Sequence, residues 1–491
     1  MKLSELASCL PFYEMRGPAC DPVIKEISHH HKNVKNGTLF VAIKGENRDG
    51  KDFIAEAVSS GAAAVLCDIE LSLPVPVIQV RNPRHALAQI TNLFYNYPSY
   101  KMNVIGVTGT NGKTTVSHMI QSIVEYAGEK TGVIGTLYMK QGQEVKASVN
   151  TTPDSLVLQQ TLSSFLSNNV TTSIIEVSSH GLAQGRLFGC DIDIAVFTNL
   201  TQDHLDYHGS MDHYRWSKSL LFSQLGHHHY KDLPKFAIIN DDDPFSEMIS
   251  QATSAHIISY GLHNTSDVYA SDIQYGRHST SFLAHTPVGK IKIKMPVVGV
   301  FNVYNALASI AATFAKRIPL EVISKGLENM KSVPGRFEIV EGSHPFTVIV
   351  DYAHTPDSLE NVMQAIVKMN ANRTFVVVGC GGDRDRSKRP LMAKVACGYA
   401  TDVIFTSDNP RSEKPLDIIK DMEKGVPGRT YTVLLDREEA IAYAIGMACE
   451  DDVILIAGKG HEKVQVIGDQ AYPFDDKQVA CQLLKKRFSK N

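Results

Sequence analysis

A lysine and two threonines closing a glycine-bracketed turn are the first residues in this chain whose types and spacing could do chemistry. Residues 109–115 read G-T-N-G-K-T-T. In such a turn the backbone N–H groups of Gly109, Thr110, Asn111 and Gly112 can close on an anion. Lys113 can then reach the outer phosphates of a nucleotide, and Thr114 or Thr115 can offer a hydroxyl to Mg²⁺. The usual phosphate-loop spacing would need glycine at 107, where this chain has Val107, so the pattern is a shortened one. Glu176 stands at the end of the apolar run 173–177, where a carboxylate beside a phosphate loop is placed to hold Mg²⁺. After the apolar run 194–197, the stretch TNLTQDHLDYH gathers Asp203, His204, Asp206 and His208. Its composition leaves a capped loop and a metal site equally open, and the phosphate loop upstream favours the metal.

Other polar clusters carry less. His29–His31 reads as a loop beside a strand, and His227–His229 as a solvated polar stretch. Gly379–Cys380–Gly381–Gly382 has the look of a dinucleotide loop, but Arg384 occupies the sixth position of G-x-G-x-x-G, which argues against NAD.

These residues need elements to position them. The β-branched run 102–108 predicts a buried strand. Val116, Met119, Ile120, Ile123, Val124 and Ala127 recur at helical spacing until Gly128 stops the helix. Strands at 102–108, 131–136, 172–178, 193–199 and 235–240 alternate with helices, which predicts a parallel sheet with ligands at its carboxyl edge. Between 255 and 300 the pattern changes, SFLAHT and KIKIKMPVV looking like inserted antiparallel strands ahead of a helix from Tyr304 to Lys316. Before this unit, pieces at 38–45, 62–67 and 76–80, with helices near 53–60 and 84–95, make a small α/β unit that ends near Tyr97–Pro98–Ser99. After Pro334–Gly335, strands at 347–355, 374–382, 403–410 and 453–460 make a third. The expected fold is therefore α/β with three domains: 1–100, a central phosphate-loop parallel-sheet domain at 101–333, and a Rossmann-like domain at 334–491.

A chain of 491 residues is too long for one core and agrees with that division. With a formal net charge of −3 and no dominant basic face, no nucleic-acid partner is expected, and small molecules are. The first residues show neither a leader pattern nor a spanning apolar stretch, so no membrane is expected and the reading is a cytoplasmic enzyme. Eight scattered cysteines without a C-x-x-C pair predict neither a disulfide framework nor a zinc site.

Ten motifs stand in an order that resembles the Mur ligases over essentially the whole chain. They are G-T-N-G-K-T-T (109–115), N-T-T-P (150–153), E-V-S-S-H (176–180), N-L-T-Q-D-H-L-D-Y-H (199–208) and Y-R-W-S-K-S-L-L-F (214–222). G-R-F-E (335–338), D-Y-A-H-T-P-D-S (351–358), G-C-G-G-D-R-D (379–385), D-N-P-R (408–411) and G-K-G-H-E (458–462) complete them. The resemblance implies ATP-dependent amide synthesis in peptidoglycan assembly. An acceptor carboxylate is phosphorylated and an amine displaces the phosphate, which asks the protein mainly to align groups and neutralise charge.

It also implies roles. Lys113 and the 109–115 loop hold the phosphates, Thr114 and Glu176 one Mg²⁺, and His204 a second. Lys218 matches a lysine carried as a carbamate, which turns a cation into an anionic oxygen ligand. Asn302 and Asn305 reach the adenine, Arg336 the γ-phosphate and Asp351 the nucleotide. Thr151, Thr152, Ser178, Gln184 and Arg186 meet the UDP-N-acetylmuramoyl dipeptide, whose UDP end the first domain holds. There the chain departs from the family, with His30–His31–Lys32 where D-S-R is usual. For the amine, Asp408, Asn409, Pro410 and Arg411, with Arg389, Gly458 and Glu462, imply meso-diaminopimelate, whose far carboxylate suits a guanidinium. The implied enzyme is a monomer using ATP and Mg²⁺. A lysine-adding or folylpolyglutamate-synthetase-like ligase remains open, as does a nucleotide switch that would turn over ATP without an acceptor.

Overall fold

The computed structural model describes residues 1–45, 48–226, 231, 234–276 and 278–488. His227–His229 lies outside the described residues. Three sheets with hydrophobic cores of their own follow one another along the chain.

The middle sheet carries the phosphate loop. Its centre is the strand Asn103–Thr108, flanked in parallel by Thr172–Glu176 and Ile194–Phe197. From Val104 to Thr108 the strand is buried on both faces, as the continuous apolar run requires of a strand covered by helices on both sides. Below it the helix Lys113–Tyr126 packs Val116, Met119, Ile120 and Ile123 against the helix Val300–Ala315. Each such fully buried aliphatic side chain contributes about 1.5–3 kcal/mol. On the other face Ser155–Ser167 and Met211–Ser223 cover the sheet.

The sheet has eleven strands, and Thr280–Thr286 and Gly289–Met295 extend its edge as the expected antiparallel strands. Three details differ from the sequence expectation. His256–Gly261, within the stretch read as changed, stays parallel to Phe236–Asn240. The long helix starts at Val300 rather than Tyr304, directly after Gly299, so Asn302 lies in its first turn. A hairpin at the opposite edge, Tyr138–Gln141 with Glu144–Ala147, is mostly polar and exposed, so no periodic apolar signal marks it.

The first unit is a five-stranded sheet, parallel but for the edge strand Glu14–Arg16. The third is six-stranded. Thr347–Asp351, Val453–Ala457, Thr374–Val378 and Asp402–Phe405 lie side by side in parallel, which puts Asp351, Gly458, Gly379 and Asp408 at or just past one carboxyl edge. One buried ion pair ties that edge together. Arg437 binds Asp476 through two 2.7 Å contacts, both side chains being 0 % exposed. The same guanidinium donates to Ser407 O at 3.3 Å and Ala457 O at 2.9 Å, the strand ends that lead into 408–411 and 458–462.

Removing the carboxylate would strand a buried guanidinium. Asp476→Ala is expected to destabilise the third unit by about 3–5 kcal/mol, seen as faster hydrogen exchange in Val453–Ala457 and Asp402–Phe405 while the strand Asn103–Thr108 keeps its protection.

Candidate active site

The phosphate loop is built by its neighbours as much as by its glycines. Thr110 N–H donates to Asn199 O, Asn111 N–H to Asn199 Oδ1 at 2.9 Å, and Thr198 Oγ1 to Asn111 O at 2.6 Å. The segment after the strand Ile194–Phe197 thus clamps the turn. Gly112 has φ +88°, and a Cβ there would lie 2.5 Å from Asn305 Oδ1, so the loop needs glycine for backbone and for space.

Two lysines converge on one oxygen. Lys113 Nζ donates to Gly109 O and Thr110 O, both at 2.9 Å, and Lys218 Nζ donates to Gly109 O at 2.7 Å. Lys218 is 1 % exposed, lies 4.7 Å from the centroid of the Tyr214 ring, and among the described residues has no carboxylate within ion-pair distance. Burial first, and then the like charge of Lys113, pulls its pKa well below the usual ammonium range. Burial also lowers that of Lys113.

Beside them, Glu176 is 1 % exposed and accepts from Thr114 Oγ1 at 2.9 Å and Thr136 Oγ1 at 2.8 Å. The expected Mg²⁺ pair, Thr114 and Glu176, is therefore in contact. His204 sits at φ +55° and faces Asp203 Oδ2 across 3.4 Å. Burial, opposed by Asp203 and reinforced by His180, Lys113 and Lys218, holds its pKa down to about 3. A neutral imidazole is the form that can donate to a cation. Among the described residues no three His, Cys, Asp or Glu side chains form a ready metal cage.

A cavity of about 280 Å³ opens from the loop, lined by Thr114, Asn302, Asn305, Arg336 and Asp351. Asn305 Nδ2 donates to Asn302 Oδ1, and Asp351 accepts from Phe337 N–H at 2.6 Å. Arg336 stacks on Tyr352 and donates to Thr114 Oγ1 at 3.3 Å, yet its buried Nε has no partner, as befits an arm reaching for an anion. Thr115 and Asn111 line the same space, and Asn111 Nδ2 reaches Asp357 of the third unit at 2.9 Å.

A second cavity, of about 270 Å³, lies between the middle and third units. His204 and Asp203 line one side of it; Asp408, Asn409, Arg411, Gly458 and Glu462 line the other. Asn409 binds Glu462 at 2.8 Å, and the buried Lys459 holds Asn409 Oδ1 at 2.9 Å and Glu462 at 3.2 Å. A Cβ on Gly458, at φ +111°, would lie 2.6 Å from Asp408 Oδ2. Pro410 is buried behind this wall. Arg411 takes φ +51° and donates to Gly382 O at 2.7 Å.

Arg389 is placed otherwise than the sequence suggested. It is 0 % exposed, bound to Glu413 at 2.7 and 3.0 Å and to Asp421 at 2.9 Å, and does not line the cavity. Three acceptors, two carboxylates and Gly381 O, draw the guanidinium inward, so it braces the wall rather than facing it.

The remaining expected contacts cluster at the strand end Glu176. Thr152 Oγ1 donates to Glu176 O and accepts from Ser178 N–H, both at 2.8 Å, and Thr151 meets Thr136 at 3.1 Å. Arg186 donates to Thr152 O and Gln184 Oε1. Gln184 and Arg186 also line a cavity of about 450 Å³ shared with Arg48, Arg84, His29 and His31 of the first unit. His30 caps a short turn through Lys32 N–H, and His31 stacks on Phe53 at 4.1 Å.

Matches to known families agree with this geometry. Residues 23–95 match the Mur ligase family catalytic domain, 107–313 the Mur ligase middle domain, and 335–460 the Mur ligase glutamate ligase domain. The chain belongs to the Mur ligase family. It is 50 % identical over 488 residues to the UDP-N-acetylmuramoyl-L-alanyl-D-glutamate--2,6-diaminopimelate ligase of Listeria innocua, covering 99 % of each. A solved structure of a ligase of that name is 32 % identical, with a TM-score of 0.70 over 99 % of both chains. The Thermotoga maritima MurF ligase solved with ADP shares the fold at 16 % identity and a TM-score of 0.65, over 95 % of this chain and 98 % of its own. As a Mur ligase the chain is an ATP-dependent ligase with the three-domain α/β architecture of its family.

Asp357, His354, Asn199, Lys459 and Tyr214 of this Mur ligase were not singled out from sequence, although each stands inside a quoted motif. Their roles come from contacts between distant segments, which no local spacing encodes.

His208 gives this region an acid sensitivity. It is 6 % exposed, its Nε2 is paired with Ser179 Oγ at 2.9 Å, and burial first, then His180, His213 and Lys218, hold its pKa down to about 4. Between the unfolded value near 6.5 and that folded value, the unfolded chain binds a proton that the folded chain does not. Stability therefore falls as pH falls, by about 1.4 kcal/mol per pH unit for this group. His208→Gln should remove that slope between about pH 6.5 and pH 4. Denaturant unfolding followed by the single tryptophan, Trp216, stacked on His213, would measure it.

Proposed function

We propose that this chain adds meso-2,6-diaminopimelate to UDP-N-acetylmuramoyl-L-alanyl-D-glutamate, with ATP cleaved to ADP and phosphate, in peptidoglycan precursor synthesis. The observation that carries this reading is one cleft in which His204 and Asp203 face Asp408, Arg411 and Glu462 while the phosphate loop opens alongside. The named relatives of high identity support the same substrates. Residues 1–100 serve the UDP end, 101–333 the nucleotide and acceptor carboxylate, and 334–491 the amine.

When bound, ATP supplies the phosphoryl group that activates the acceptor carboxylate, and Mg²⁺ neutralises charge on the oxygens. Lys113, the 109–115 backbone and Arg336 hold the phosphates, and Asn302, Asn305 and Asp351 orient the nucleoside. Thr114 and Glu176 take one Mg²⁺, and His204 with a carbamylated Lys218 the other. The buried, depressed amine of Lys218 supports the carbamate, because a neutral nitrogen can attack CO₂ and shed a proton. The resulting anion sits beside Lys113, where a second ammonium is unfavourable.

Arg48, Arg84 and Arg186 make the first-unit cavity cationic, as a diphosphate requires. Thr151, Thr152 and Ser178 sit between that cavity and Glu176, along the path of the dipeptide. Arg411 takes the far carboxylate of diaminopimelate and Glu462 its ammonium. The third unit reaches the phosphate loop through Asp357 and Thr114 through Arg336, so the cleft is complete only when the units meet, which keeps water from the activated acyl group. The enzyme acts as a cytoplasmic monomer.

Lys218→Ala should be nearly inactive and partly restored by a small carboxylate such as formate. Full activity without rescue would remove the carbamate. Arg411→Ala should lower kcat/KM for diaminopimelate by about 10³-fold or more while KM for ATP holds; ADP release with diaminopimelate and with lysine in turn measures both. Unchanged kinetics with diaminopimelate would remove the specificity argument.

A further inference from the structure

The amine arrives in the second cavity as an ammonium and must lose a proton before its nitrogen can attack. Two acidic residues on the amine side already accept hydrogen bonds from the wall itself. Glu462 accepts from Asn409 and Lys459, and Asp408 Oδ1 accepts from Asn409 N–H. Of the three imidazoles that line the cavity, His180, His204 and His354, only His354 comes from the third unit, the side of the amine wall.

His354 Nδ1 lies 2.8 Å from Tyr352 O. A carbonyl can only accept, so Nδ1 carries the hydrogen and Nε2 is the basic nitrogen of the neutral ring. That Nε2 faces Asp203 Oδ2 across 3.8 Å, and the side chain is about one-third exposed to the cavity. His354 comes from the third unit and Asp203 from the middle one, so the pair exists only where the two units meet. Tyr352, whose ring centroid lies 4.6 Å away, Asp351 and His461 are titratable groups beside it, and His180, Asp206, Arg384, Asp385 and Lys388 line the same cavity.

We propose that His354 is the general base that takes the proton of the incoming ammonium, with Asp203 stabilising the imidazolium that results. This rests on the ligase reading above. The ammonium N–H bond breaks towards His354 Nε2, and the freed lone pair forms the C–N bond with the activated carboxyl carbon. The C–O bond to phosphate breaks with its electron pair on oxygen, the phosphate takes the second nitrogen-bound proton, and His354 returns the first to solvent. Because Asp203 is supplied by the opposite unit, deprotonation is confined to the closed cleft, beside the activated acyl group.

The test compares two nucleophiles. Diaminopimelate needs the base; hydroxylamine is already neutral at pH 7 and traps the activated carboxyl without one. With ATP and the UDP-dipeptide present, His354→Gln should lose about 10²-fold or more of its diaminopimelate-dependent phosphate release. It should form hydroxamate at the parent's rate. Its diaminopimelate rate should climb about tenfold per pH unit up to the amine's own pKa, where the parent is level. Equal loss with both nucleophiles, or a pH profile like the parent's, would overturn the assignment. His354→Asn gives the same comparison should the glutamine variant not fold. Failure of the parent itself to form hydroxamate would count against the ligase reading, and against this one only through it.

Discussion

Two ammonium groups pointed at a single carbonyl oxygen are the constraint from which the rest of the site follows. Lys113 and Lys218 reach Gly109 O from different helices, one from the turn after the phosphate loop and one from Met211–Ser223. Burial weakens the hydration that would otherwise offset their repulsion. Such an arrangement persists only if one charge is lost or anions are brought in, and the site offers both outcomes. The phosphate loop leads into the N-terminus of the helix Lys113–Tyr126, an end that favours an anion, and burial pulls the Lys218 pKa well below the usual ammonium range. Glu176 and the hydroxyl of Thr114 stand in contact beside the loop, the pair proposed to take a Mg²⁺.

The architecture serves that point by bringing strand ends together. Parallel strands put their carboxyl ends on one edge, and two sheets place those edges face to face. The contacts across the seam include polar pairs, Asn111 with Asp357, Arg336 with Thr114, Asp203 with His354 and Arg384 with Asp206, beside apolar packing of Val298 and Phe301 against the third unit's core. Arg437, Asp476 and Lys459 are buried and multiply bonded, fixing the third unit's wall of the second cavity.

The periodicity of the strand–turn–helix 102–128 was legible because its apolar spacing is local and unbroken, and the clamp from Asn199 is simply a neighbouring strand end arriving where parallel topology sends it. Glu176 could be set beside the phosphate loop from the strand pattern, but its pairing with Thr114 came from the resemblance to the Mur ligases. Arg389 could not be placed, since an arginine one turn from a glycine loop reads alike whether it faces a ligand or two carboxylates on following elements. The hairpin 138–147 escaped because polar, exposed strands have no buried face to show. His354 was visible only as a letter in a motif; its partner lies on another unit, and a pairing across the seam leaves no mark on either local sequence.

The pairing of Arg437 with Asp476 also has a bearing on biosynthesis. A ribosome releases 408–411 and 458–462 before the helix Asp476–Phe488 that neutralises the guanidinium behind them. Until that helix emerges, the half-made pocket carries an uncompensated charge at its base and the two strand ends lack their common anchor. Ordering of the amine wall is thereby deferred to the last stages of translation, when the other two units have already had time to fold around their own sheets.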